Sequence, residues 1–160
     1  MKQFTLLLFF LTLLSCNSQT QNSSQQHALV VIDEANFFTR SQTDSISKII
    51  LDFEKQTTNQ ICVYIKDSIP NQENILAYAT KLANNLGVGQ AEKNNGLLLL
   101  ISKGDRQVAI ATGIETEKVI TDIICYDLIE NILVPSFKEE RYFEGLLQVL
   151  DSVKVKWVNP

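Results

Sequence analysis

Three carboxylates stand where chain elements are expected to begin or end. Asp33 follows a short apolar run, Glu117 follows a strand closed by Gly113, and Asp122 opens a helical pattern. Carboxylate and amide oxygens are hard donors, matched to Ca2+ or Mg2+ rather than to a soft metal. Asn95 would add a carbonyl oxygen and Thr121 a hydroxyl, so Asp33, Asn95, Glu117 and Asp122 form the candidate metal set. Loop ends of an α/β sheet are where ligands usually bind. The same residues also have structural uses. Asp122 beside Thr121 suits the positive N-terminus of a helix, and Asp33 suits an Asx turn. No catalytic set is legible. The single histidine, His27, argues against a His-rich metal site or a Ser-His-Asp triad. No cysteine stands in a nucleophile loop with an arginine. No glycine-rich loop carries the Lys-Ser or Lys-Thr of a phosphate cradle, and Gly87-Val88-Gly89 reads as a helix stop. Cys62 and Cys125 lie in apolar segments and read as core thiols. An oxidising compartment would permit a bond between them, but sequence does not give the distance.

The remaining cysteine has a different setting. Lys2 precedes an almost unbroken apolar run from Phe4 to Leu14. As a helix it would span roughly 16 Å, about half a bilayer core, which fits a signal-peptide h-region rather than a membrane span. Leu13-Leu14-Ser15-Cys16 closes the run and resembles the lipobox of bacterial lipoproteins. Residues 1–15 are therefore expected to be a lipoprotein signal peptide, with Cys16 acylated and the lipid bilayer its first partner. A multiply acylated cysteine holds a membrane firmly, because each buried methylene adds about 0.8 kcal/mol. Asn17 to Gln26 has neither apolar nor charged residues, so residues 16–27 form the lipidated cysteine and a flexible polar tether. The folded domain is expected at 28–154, facing the periplasm or exterior of the cell envelope, with residues 155–160 as a C-terminal tail.

Composition is consistent with one such domain. The chain has 160 residues, 45% of them hydrophobic and 20% charged, which excludes wholesale disorder and a multi-spanning membrane protein. Its formal charge of −4 argues against a nucleic-acid partner, which normally meets a basic patch.

The elements that must position the candidate residues follow from periodicity. Ala28 to Ile32 reads as a first strand. Thr39-Arg40-Ser41-Gln42 fits a capping box before a helix over 40–56, with Ile46, Ile49, Ile50 and Phe53 on one face. Gln60 to Lys66 is a strand whose Ile61, Val63 and Ile65 face one way and Cys62 and Tyr64 the other, so both faces should be covered. Glu73 to Leu86 is a second helix. Gly96 to Ser102 is a central strand, joined through Lys103-Gly104-Asp105-Arg106 to an antiparallel strand over Gln107 to Thr112. Thr121-Asp122 opens a third helix that Pro135 should stop. Ser136 to Glu139 resembles another capping box, and a last helix covers about Arg141 to Lys154. The alternating Val153 to Trp157 suggests a frayed end or an added edge strand. Phe37-Phe38 is expected to staple the first helix. Trp157 and Tyr142-Phe143 suit core packing or an exposed partner patch. Right-handed crossovers should make the early strand pairs parallel. The expected fold is a three-layer α/β/α sandwich with a mixed, mainly parallel sheet of about four strands and four main helices.

Several patches in order resemble one family, the TPM domain. They are Val31, Asp33, Ala35 and Phe38-Thr39; Gln60-Ile61-Cys62-Val63; Leu86-Gly87-Val88-Gly89; Asn94-Asn95-Gly96-Leu97-Leu98-Leu99; Asp105-Arg106; Gly113 with Glu117, Ile120 and Asp122; then Pro135, Phe137-Lys138 and Gly145-Leu146. The resemblance implies a Rossmann-like sandwich over roughly residues 30–150. It also implies acid phosphatase activity, divalent-cation binding, or roles in assembly and maintenance of membrane proteins, all associated with family members. A phosphate ester would meet like charge in this acidic domain unless a cation neutralised it, and Lys103, Arg106 and Lys138 are the basic residues near the shared motifs. A nucleophile would be a carboxylate such as Asp33 or a metal-bound water. The favoured expectation is a membrane-anchored module that binds or maintains a membrane-protein partner, with Ca2+ or Mg2+ as candidate ligand. The alternative is a metal-assisted phosphatase. The chain departs from the family pattern where Leu86 replaces Trp, Asn94 replaces Asp, Glu115 stands at a Gly position, and Glu140-Arg141 stands where Gly-Asp is common.

Overall fold

The computed structural model describes residues 30–158. The expected signal peptide, Cys16 and the polar tether lie outside the described residues, as do positions 28 and 29 of the expected first strand. Strands β1 (Val31–Asp33), β2 (Gln60–Lys66), β3 (Gly96–Ser102) and β4 (Gln107–Thr112) form one sheet in the order β1-β2-β3-β4. β1 pairs with β2 and β2 with β3 in parallel, while β3 and β4 form the antiparallel hairpin.

Helix α1 (Arg40–Thr57) begins at the expected capping box. The Thr39 hydroxyl accepts from the Gln42 N–H at 3.3 Å, and the Thr39 N–H donates to Gln42 Oε1 at 2.9 Å. Helix α2 (Ile75–Leu86) starts two residues later than the apolar pattern suggests. Asn74 is its cap, accepting from the N–H groups of Leu76 and Ala77.

The alternation read in β2 sorts the core into two layers. Ile61, Val63 and Ile65 join Leu97, Leu99 and Ile101 beneath α1 and the C-terminal helices. Cys62 and Tyr64 join Leu98, Leu100 and Ala79 beneath α2. Every residue of β3 is buried. Because α1 and α2 cover opposite faces while β1, β2 and β3 step across the sheet in one direction, the two crossovers have opposite hands. One of them therefore departs from the right-handed rule, although both strand pairs are parallel as expected.

The C-terminal third differs from expectation in three ways. After the single turn α3 (Ile114–Glu117), the chain forms α4 (Asp122–Leu128), a π-helical segment at Ile129–Leu133 and α5 (Val134–Lys138) without a break. Pro135 does not stop this rod. The widened turn before it, in which the Val134 N–H reaches the Ile129 carbonyl, loosens the backbone that the proline ring would otherwise strike. Ser136 is consequently not a cap but a buried residue inside α5, where Gly145 of the next helix passes so close that a Cβ would lie 2.6 Å from its own Cβ. Helix α6 (Tyr142–Val158) continues through the alternating tail, and Trp157 is buried against Phe53 with ring centroids 5.7 Å apart. Packing on α1 overrides the local alternation there.

The departures from the family pattern resolve separately. Glu115 is helical and bonded to Lys118, so it needs no left-handed backbone. Glu140 does need one, with φ 58°. It follows α5 in a Schellman turn: the Arg141 N–H reaches the Ser136 carbonyl at 2.9 Å and the Glu140 N–H reaches Phe137 at 3.2 Å. A side chain costs about 1–2 kcal/mol in that region, partly offset by glycine's larger unfolded-state entropy. Glu140→Gly should therefore raise stability by about 0.5–1 kcal/mol, read as a rise of about 2–4 °C in thermal midpoint.

Cys62 and Cys125 are buried in the two different core layers, separated by the sheet, so they do not form a disulfide with one another. Burial pushes the Cys62 thiol up to about 12. Burial, and then the charges of Asp122 and Glu117, push Cys125 up to about 11. Neither is a thiolate at neutral pH, so iodoacetamide should leave both unmodified in the folded protein and alkylate both in denaturant.

Candidate functional site

The parallel strands end together at Asp33, Lys66 and Ser102, and β4 begins beside them at Gln107. Along this C-terminal edge lies an open cleft of about 980 Å3 between the β3–β4 hairpin and α5. Its walls include Phe37, Ile101, Val108, Ile129, Phe137 and Tyr142. Lys103, Arg106 and Lys138 bring positive charge to it, opposed by Glu130 and Glu140.

Local chemistry explains how the walls are held. The Asp33 carboxylate accepts from the N–H groups of Ala35 (3.2 Å), Phe37 (2.8 Å and 3.0 Å) and Phe38 (2.9 Å), which folds the β1–α1 loop and places Phe37 at the cleft. Phe37 then packs on Tyr142 and Phe137, with centroids 4.7 Å and 6.0 Å away. On the other side, the Asp105 carboxylate accepts from the Ser102 hydroxyl at 2.6 Å and from the Ile69 N–H at 2.7 Å. The Gly104 N–H reaches the Asp67 carbonyl at 2.7 Å, so the hairpin is pinned to the segment after β2. Arg106 takes a left-handed conformation (φ 54°) as the hairpin turns into β4. Lys138 arrives from the last turn of α5. None of the three cations belongs to the surface ion pairs of the described residues, which are Lys81–Glu73, Lys118–Glu115, Arg141–Glu139 and Lys154–Asp151. Set against Glu130 and Glu140, they leave the cleft lining at a net +1 in a chain of net charge −4.

Across the sheet, beneath the α2 layer, the Tyr64 hydroxyl donates to Glu34 Oε1 at 2.5 Å. Burial and the Glu34 carboxylate hold that phenol well above its ordinary range. Lys66 donates to the Tyr78 hydroxyl at 2.8 Å and lies over its ring. Sequence reading missed this pairing because Glu34 and Tyr64 are far apart in the chain.

The structure does not assemble the carboxylate set into one coordination sphere. Asp33 lies at the C-terminal edge, whereas Asn95 precedes β3 at the opposite edge, six residues away along the strand register, or roughly 20 Å. Asn95 is buried and committed: its Oδ1 accepts from the Gln90 N–H at 2.9 Å and its Nδ2 donates to the Thr58 carbonyl at 2.8 Å. Glu117 ends α3 and Asp122 opens α4, and both are exposed. Thr121 caps α4, accepting from the Ile124 N–H at 3.4 Å. Among the described residues, no group of three or more His, Cys, Asp or Glu side chains is placed to hold a metal ion. The residues that do converge are the three basic ones. The signal that links them is that Lys103 and Arg106 sit on the hairpin at the strands' C-terminal edge.

The family model of the TPM domain matches residues 31–156. The chain belongs to the TPM domain family. Solved structures share the fold. The N-terminal domain of a protein from P. gingivalis is 27% identical with a TM-score of 0.73, the match covering 82% of this chain and 85% of that one. The BA42 protein of Bizionia argentinensis is 21% identical with a TM-score of 0.66, covering 78% and 84%. The N-terminal domain of the cg2496 protein of Corynebacterium glutamicum is 19% identical with a TM-score of 0.64, covering 84% and 83%. No curated protein matches the chain. The three-layer sandwich of this TPM domain is thus the fold expected from sequence.

The hairpin clamp gives the TPM domain a pH signature. The Ser102 and Ile69 hydrogen bonds hold the Asp105 carboxyl below its ordinary value of 3.8. A carboxyl depressed in the folded state adds stability above its unfolded pKa and loses it as pH falls through the folded value. The wild-type thermal midpoint should therefore fall more steeply than that of Asp105→Asn as pH drops below about 4, with the two curves converging in stronger acid. Parallel curves would remove the clamp from the account.

Proposed function

We propose that this chain is a lipid-anchored envelope protein whose TPM domain is a binding and assembly module for a membrane-protein partner. The convergence of Lys103, Arg106 and Lys138 on the open, largely apolar cleft carries this reading. An α/β sheet presents ligands at this edge, and the carboxylates nearest the edge are engaged in holding loops. Asp33 is engaged by the β1–α1 loop and Asp105 by the hairpin, which favours binding over nucleophilic chemistry. Among the described residues no helix is long and apolar enough to cross a membrane, so attachment would fall to Cys16. The tether 16–27 would then hold the module near the surface where its partner sits.

The second reading is phosphomonoester hydrolysis, favoured by the same cationic cleft and by the word phosphatase in the family model's name. Two measurements separate them. Intact-mass analysis should find acyl chains on Cys16, and Cys16→Ser should move the protein from the membrane fraction to the soluble one; an unmodified Cys16 would overturn the tether. p-Nitrophenyl phosphate should not be turned over from acid to alkaline pH, with Mg2+ or Ca2+ or without. Turnover abolished by chelator and by Arg106→Ala would establish the phosphatase instead.

A further inference from the structure

We infer that the cleft is a docking groove for an extended acidic peptide segment of the partner. Its carboxylates would meet Lys103, Arg106 and Lys138, and its apolar side chains would pack on Phe37, Phe137 and Tyr142. The inference rests on the cleft being the ligand site and names the class of occupant.

Four observations select it. First, the three cations lie outside the ion pairs of the described residues, so their charge is available to an anionic occupant. Second, the cleft holds about 980 Å3, near the upper end of small-molecule pockets, and it is not an enclosed cavity, which leaves room for a chain segment. Third, β4 is an edge strand, paired only with β3, and its Gln107 and Val108 line the cleft. Gln107 is exposed and Val108 half-buried, whereas Ala109, Ile110 and Ala111 are buried, so an extended segment would pair with the start of this edge alone. A lipid headgroup can use the charges but not the strand edge. Fourth, Glu130 and Glu140 stand among the three cations in the cleft lining. An anionic bilayer presents one sign over a wide area and leaves those glutamates unmatched, whereas a peptide can place a neutral or basic residue opposite each of them.

The test uses the protein purified in neutral detergent and four probes. These are a fluorescein-labelled peptide alternating Asp or Glu with Val or Phe, the same peptide with Lys for each acid, inorganic phosphate, and phosphatidylglycerol vesicles. The acidic peptide should bind, more weakly as salt rises, and shift the Gln107 and Val108 amide resonances. Lys103→Glu, Arg106→Glu and Lys138→Glu should each weaken it by about tenfold or more, and the neutral Lys103→Gln and Lys138→Gln by less, with melting midpoints near wild type. Equal binding of the Lys peptide would overturn the proposal. If phosphate or vesicles bind with the same sensitivity to charge reversal and the acidic peptide does not, the cleft remains a ligand site but the peptide assignment fails. If no probe responds to the reversals, the cleft reading falls with it.

Discussion

All seven residues of Gly96–Ser102 are buried, and that burial dictates the architecture around them. A strand with Leu97, Leu99 and Ile101 on one face and Leu98 and Leu100 on the other exposes apolar surface to water unless both faces are covered. Three helical units, α1, the 122–138 rod and α6, supply one cover, and α2 supplies the other. Covering the second face with α2, directly after β2, forces the unequal handedness of the two crossovers. The cost of that unusual connection is offset by sealing Cys62, Tyr64, Leu98 and Leu100 from solvent.

The sealed sheet leaves its C-terminal edge as the place where loops from three layers meet. Two aspartates organise that edge. Asp33 gathers three backbone N–H groups and fixes Phe37. Asp105 ties the hairpin to Ile69 and Ser102. Asp33, read from sequence both as a candidate ligand and as an Asx turn, holds the β1–α1 loop, and three cations line the cleft beside it. The left-handed backbone at Arg106 and Glu140 fits this picture, because both sit where the chain must turn sharply to wall the cleft.

Where one local signal dominated, sequence reading located the element closely. β2, β3 and β4 begin and end at the expected residues, and the Thr39–Gln42 capping box opens α1. Where two signals competed, it failed. Pro135 and Ser136 look like a stop followed by a start, yet the π-helical turn at 129–133 carries the helix past the proline. The alternating Val153 to Trp157 looks like a strand, yet Trp157 finds Phe53 on α1 and the helix continues. The candidate site was legible only in fragments. The carboxylates drew notice as ligand types, but types do not reveal that β1 ends at one edge while Asn95 precedes β3 at the other.

The sequence by itself determined the two-faced apolar strands, the order of elements, the membership in the TPM family and the expectation of an acylated Cys16. Each of these is written in neighbouring residues, through period, caps and short motifs. Only the tertiary structure decided which face α2 covers, that Cys62 and Cys125 lie in separate layers, and that Lys138 joins Lys103 and Arg106 around one cleft. Those outcomes depend on how the sheet orders its strands and how the rod crosses it. No local propensity encodes the distance between residues that lie on different elements of the chain.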